Sequence, residues 1–140
     1  MPSHEIDVYV RFSETDAMGH VNNTSHFLYF EEARTKLFRE LANRHNRPFH
    51  SMLVSITCDY INQAFAHQTL RVTTNVKKIG TKSFRLVQLL TDAGKGTTIA
   101  RAETVTVCFD VDKQVSIPIP DYVRKGLEEY LVSEDSEPRT

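Results

Sequence analysis

Net charge is almost absent from this sequence: 17 Lys and Arg stand against 18 Asp and Glu, for −1 with His neutral. A surface without surplus cations has no electrostatic footprint for nucleic-acid phosphates, so nucleic acid is not expected as the main partner. Long hydrophobic runs are missing too. Nothing approaches the roughly 20 apolar residues that a membrane-spanning helix requires, so no membrane partner is expected. The opening MPSHEIDVYV has neither the basic nor the apolar region of a secretion signal, which makes the cytoplasm the expected compartment. Cysteine is scarce: Cys58 and Cys108 lack CxxC spacing and any His or Cys nearby at ligand spacing. Both read as small buried thiols in a reducing compartment. Neither has the helix N-terminus or basic neighbour that would make a thiolate nucleophile.

What is present suits a globular chain. With 40% hydrophobic and 25% charged residues over 140 positions, one substantial core is expected, in a single domain over 1–132 with a polar tail over 133–140. Residues 6–12 alternate as a strand, with Ile6, Val8, Val10 and Phe12 on one face. A helix is expected over roughly 24–44, capped by Asn23 or Thr24, with Phe27, Phe30, Leu37, Phe38 and Leu41 on one stripe. Four strand-like runs follow, about 52–62, 68–79, 83–92 and 97–109, with turns at Gly80–Lys82 and Asp92–Gly96. Turns between consecutive runs suggest an antiparallel meander, and a short helix is expected from Pro120 or Asp121. The fold class is therefore α+β: a curved antiparallel sheet of five or six strands wrapped around one long central helix. Sheet edges left open in such a fold favour dimerisation.

Chemistry concentrates in ETDAMGHVNN, the polar segment between the first strand and the helix. A helix N-terminus offers unpaired N–H groups and a positive dipole end, which suit an oxyanion. Asp16 lies just upstream, and Gly19 allows the loop to fold back so that acid and N–H groups share a pocket. A carboxylate beside a polarised carbonyl is the minimum equipment for hydrolysing an activated ester, as general base or as nucleophile. The bland alternative is an acid that merely caps the loop. His20 and His26, six apart across the loop–helix junction, have no standard ligand spacing, so no metal is expected.

The run ETDAMGHVNNTSHFLYFEEAR, with HVNN followed by YFEEAR, resembles the hotdog-fold acyl-CoA thioesterases of the 4-hydroxybenzoyl-CoA thioesterase type. Within them it looks closest to the branch of long-chain acyl-CoA thioesterases, and GTKSF at 80–84 and TVTVCFDVDKQ are also family-like. The resemblance spans about Ile6 to Leu131. It implies the hotdog fold, a homodimer or homotetramer with active sites between subunits, and an acyl-CoA substrate. It implies no cofactor, since coenzyme A is part of the substrate. Asp16 matches the catalytic acid, and the segment Gly19–Asn23, with Asn22 and Asn23 foremost, matches the oxyanion-binding loop. His20, Val21, His26 and Tyr29 match positions lining the substrate site, with His26 standing where relatives often carry an aromatic residue. Lys82 and Ser83, with Lys78 nearby, match the nucleotide end. Phe27, Phe30, Tyr60 and Phe65 are the aromatics available for an acyl tunnel, and Glu31 is a second acid to consider. The rival functions are a hotdog hydratase or dehydratase, whose His and Asp pair the spacing around His20 does not match, and a non-enzymatic acyl-CoA-binding module; a thioester on acyl carrier protein is a variation of the substrate.

Overall fold

Alternating apolar residues build a sheet around a helix in the computed structural model, which describes residues 2–132; the expected polar tail at 133–140 lies outside the described residues. The order is β1 (His4–Tyr9), a 3-10 turn (Phe12–Glu14), α1 (Ser25–Arg44), β2 (Ser51–Tyr60), β3 (Thr69–Ile79), β4 (Ser83–Asp92), β5 (Thr98–Asp110), β6 (Val115–Ser116) and α2 (Asp121–Glu128). The main sheet is antiparallel in the order β1-β3-β4-β5-β2, with β6 paired to β5.

The meander holds for β3, β4 and β5 but not for β2, which pairs with β5 on the far edge. The physical reason lies in residues 61–68. They form no tight turn; Ala64 O accepts from Val21 N and Phe65 bridges His20, so this segment crosses one end of the molecule to reach the other edge.

The inward face of the sheet carries Leu70, Val72 and Val76 from β3, Phe84, Leu86 and Leu90 from β4, and the smaller Ala100, Ala102, Thr104 and Thr106 from β5. Val105, Val107 and Phe109 share the outer face. Against the inward side lies α1, burying His26, Tyr29, Phe30, Ala33, Arg34, Leu37 and Leu41. Phe27, expected in this stripe, is exposed because it falls to one side of it. Phe38 lies on the same flank, half-buried against Phe49 and Phe84.

A polar layer divides the core into two apolar clusters. The buried Arg34 donates through Nη1 to Gln88 Oε1 at 3.2 Å, and Gln88 Nε2 donates to the Phe30 carbonyl and to Thr74 Oγ1, each at 3.1 Å. Burial lowers the Arg34 pKa, and Glu31 on the next turn back opposes that shift. The thiols behave as structural groups: burial pushes Cys108 up to about 11 and raises Cys58 as well. Cys58, however, is only half-buried, because β2 is an open edge.

The expected strand at 6–12 stops earlier. Val10 keeps its inward position, but Phe12 turns out to solvent where the 3-10 turn begins, with Glu14 Oε1 accepting from Arg11 N at 2.9 Å. At the other end, α2 packs so closely on α1 that a Cβ on Gly126 would overlap Leu41 Cδ2 and stand 3.3 Å from Leu41 Cγ. Leu41 is fully buried and has nowhere to move. Gly126→Val is therefore expected to cost about 1–3 kcal/mol of stability through overpacking. Urea denaturation checks this, and a midpoint unchanged from wild type would show that α2 is free to slide.

Candidate active site

The segment after β1 folds into a miniature hairpin. Thr15 bridges Val21, Asp16 N donates to His20 O at 2.8 Å, and Gly19 N donates to Asp16 O at 3.1 Å. Gly19 takes φ +79°, a left-handed conformation that costs glycine little. The Asp16 side chain locks the turn, with Oδ1 accepting from Met18 N at 2.8 Å and His20 N at 3.2 Å. Both the loop-capping reading and the carboxylate site therefore meet in one residue: Oδ1 serves the loop, while Oδ2 has no partner among the described residues.

The hairpin delivers the chain to α1. The N-cap is Thr24, but its own side chain caps nothing; Asn22 Oδ1 accepts from Thr24 N at 3.0 Å and from Thr24 Oγ1 at 2.9 Å. The Asn22 N–H is spent on the Glu14 carbonyl, whereas the Asn23 N–H has no partner among the described residues. An unpaired N–H in the approach to a helix N-terminus favours a developing negative charge.

Asn23 lines a cavity of about 220 Å³ together with Val21, His26, Tyr60, Ile61, Asn62, Gln63 and Ala64. Tyr60 reaches across from β2 and donates to the Asn23 carbonyl at 2.7 Å. Burial and the neighbouring Cys58 raise the Tyr60 pKa, which preserves that donor. His26 packs edge-on against the Tyr60 ring with centroids 4.8 Å apart, and its Nδ1 lies 3.1 Å from the Asn22 carbonyl.

Burial lowers the His26 pKa, opposed by the carbonyls of Asn22 and Asn23. The folded protein thus prefers the neutral ring. The corresponding stability is complete above the unfolded histidine value of about 6.5 and is lost as pH falls below it. Wild type is expected to lose more stability between pH 7.5 and 5.5 than His26→Gln, measured by urea denaturation at both. Equal losses would contradict this assignment.

The remaining sequence candidates fall into three places. Val21 and His26 join Asn23 in the cavity wall, and His20 lies behind it, packed edge-on against Phe65 at 5.0 Å. Tyr29 faces the other flank of α1, where its hydroxyl donates to Glu14 Oε1 at 2.9 Å and burial holds its pKa well up. It anchors the loop from behind and does not line the cavity. Lys78, Lys82 and Ser83 stand at the opposite end of the sheet, where Lys78 and Ser83 border a separate pocket of about 210 Å³. The ten residues of β4 put roughly 30 Å between the two ends, so one chain alone does not bring these residues to Asp16.

Of the proposed tunnel aromatics, Tyr60 alone lines this cavity; Phe30 is sealed in the core. Asn62, Gln63 and Ala64 escaped the sequence reading. Their only signal was a polar break directly after a strand end.

The profile of the thioesterase-like superfamily matches residues 10–127, a span containing the hairpin, the cavity wall and α2 up to Leu127. The chain belongs to the thioesterase-like superfamily. It is a thioester hydrolase, and its sheet around a long helix is the hotdog fold. This member is similar to the long-chain acyl-CoA thioesterase FadM of Escherichia coli, with 27% identity over 132 residues covering 91% of this chain and 98% of that one. It is 39% identical to the Bacillus subtilis protein YsmA over 80 residues, an alignment spanning about half of each chain, 56% and 54%. Among solved structures it is similar to a predicted thioesterase from Bacillus stearothermophilus, at 28% identity with a TM-score of 0.85, covering 94% of this chain and 98% of that one. No helix among the described residues is long and apolar enough to cross a membrane.

Proposed function

We propose that this thioesterase hydrolyses acyl-CoA to a free carboxylic acid and coenzyme A in the cytoplasm. The observation that carries the proposal is the unpartnered Asn23 N–H in the wall of a cavity beside the Asp16 hairpin. The thioester carbonyl oxygen accepts from Asn23 N–H, and charge developing there is favoured by the dipole of α1. Asp16, through the oxygen its loop leaves free, activates water or attacks the carbonyl carbon. The carbon–sulfur bond then breaks and the thiolate leaves; where Asp16 itself has attacked, water hydrolyses the resulting Asp16 anhydride to release the acid. Gly19 and Asn22 shape the loop rather than touch the carbonyl. No cofactor takes part, and coenzyme A arrives as part of the substrate.

A second copy of the chain completes the site. As an open edge with exposed apolar Met52, Leu53 and Val54, β2 is built to pair with itself. Antiparallel pairing of two β2 edges sets the Tyr60 end of one chain beside the Ser51 end of the other. The Lys82 turn of that second copy lies only two strand spacings, about 10 Å, further along, because Ser83 pairs with Val107 and Val107 with Met52. Lys82, Ser83 and Lys78 thereby serve the nucleotide end of the substrate held by the other chain.

The test is thiol release from short, long and aromatic acyl-CoAs, run beside the same acyl groups on acyl carrier protein. Cleavage of at least one acyl-CoA is expected. Binding without cleavage would favour a sensing module, and cleavage confined to the carrier-protein thioesters would move the substrate class.

A further inference from the structure

The cavity wall is more polar than a fatty-acyl tunnel requires, since five of its eight residues are Asn23, His26, Tyr60, Asn62 and Gln63. Two of these polar groups are already committed: the Tyr60 hydroxyl donates to Asn23 O, and Asn62 Nδ2 donates to Thr98 O at 2.8 Å. His26 is different. Its residue is 4% exposed, and its Nδ1 faces a carbonyl, which only accepts. The neutral ring therefore carries its proton on Nδ1, leaving Nε2 as a lone-pair acceptor.

That acceptor has no partner among the described residues. Among the described residues the unpartnered polar side-chain atoms sealed from solvent are His4 Nδ1 and Thr104 Oγ1; His26 Nε2 is not one of them, which leaves it open to the cavity that His26 lines. An acceptor open to a cavity is met by water until a ligand hydroxyl takes its place and donates instead.

Position narrows the ligand. His26 stands in the first turn of α1, two residues past the N-cap Thr24, and helical side chains lean back toward the N-terminus and so toward Asn23. A carbonyl held at the Asn23 N–H brings the first carbons of its acyl chain beside the ring. Within one chain the cavity is about 220 Å³, room for the first few carbons of an acyl group.

We propose that His26 Nε2 accepts a hydrogen bond from a hydroxyl on carbon 2 or 3 of the acyl group, which makes the chain selective for 2- or 3-hydroxyacyl thioesters. This rests on the thioester reading above and names its substrate class. Nothing covalent is asked of His26; it reads the substrate while Asp16 and the Asn23 N–H act on the carbonyl.

The test compares kcat/KM for 3-hydroxybutyryl-CoA against butyryl-CoA and for 2-hydroxypropionyl-CoA against propionyl-CoA. Wild type is expected to favour the hydroxylated member of at least one pair by about 10-fold, the worth of one hydrogen bond to a positioned acceptor. In His26→Phe that ratio falls to near one. In His26→Gln, whose amide oxygen still accepts, part of it survives. A wild-type ratio near one overturns the proposal while leaving the thioesterase reading intact. A uniform loss across both members of each pair in His26→Phe overturns it too, because the ring would then touch a part shared by all the substrates. Failure to cleave any acyl-CoA overturns the broader reading and this one with it.

Discussion

Asp16→Asn is expected to slow thiol release from acyl-CoA by about two to four orders of magnitude while the protein stays folded. The two carboxylate oxygens of Asp16 have separate duties. Oδ1 accepts from the N–H groups of Met18 and His20 and so fixes the turn that carries the chain into α1. An asparagine places its amide oxygen in the same position and keeps both bonds. What it removes is the charge and the basicity of the second oxygen. A large loss of kcat with an unchanged melting temperature therefore isolates the chemistry from the loop. Alanine would confuse the two by releasing both N–H groups. Equal rates in wild type and Asp16→Asn would leave the enzyme class standing and move the acid elsewhere. Glu31 is the next residue to test; it is exposed on α1 beside Arg34 and, like Asp16, is not among the residues lining the cavity.

Val54→Lys is expected to convert the protein to a monomer and to lower kcat/KM for acyl-CoA by about 10- to 100-fold. Val54 sits where the β2–β5 register shifts and is 59% exposed on an edge strand with no neighbour beyond it. A lysine on such an edge resists pairing with another strand. The catalytic loss follows because the basic turn at Lys82 reaches the cavity only from a second copy. Charge-assisted contacts of this kind are worth roughly 1.5–3 kcal/mol, and 1.4 kcal/mol is about tenfold. The loss should appear mainly in KM, since the contacted nucleotide is remote from the reacting carbonyl. Light scattering and steady-state kinetics on the same sample check both parts. A fully active monomer would show that one chain holds the whole site.

The sequence makes the helix and its approach loop readable because their signals are local. Gly19 before a helix start, two asparagines at the boundary and an acid four residues from a bulky run all act within one short segment, and the structure folds them together. The strands were equally readable from alternation, down to the turn at Gly80–Lys82. Strand order was not, because nothing local says that 61–68 crosses an end of the molecule instead of closing a hairpin. That same segment supplies most of the missed cavity wall. Asn62, Gln63 and Ala64 become functional candidates only once Val21 N has bonded Ala64 O, a contact across 43 residues of chain. Phe27 and Phe65 take neither of the places open to such aromatics, the core or the cavity wall: one lies to the side of the helix stripe and the other packs on His20. Lys82 was readable as a basic turn, yet its distance from Asp16 is a property of sheet length, and its route back to the site needs a second chain.

The most direct measurement is a crystal structure with a non-hydrolysable acyl-CoA thioether or ketone analogue. The account predicts the ketone oxygen, where the thioester carbonyl would be, at about 2.7–3.1 Å from Asn23 N, with the acyl head in the cavity between His26 and Tyr60. It also predicts the nucleotide against the Lys82 turn of the neighbouring chain. An analogue seated instead in the concavity of about 450 Å³ at the far end, which Arg47, His50 and Tyr122 help to line, would contradict it.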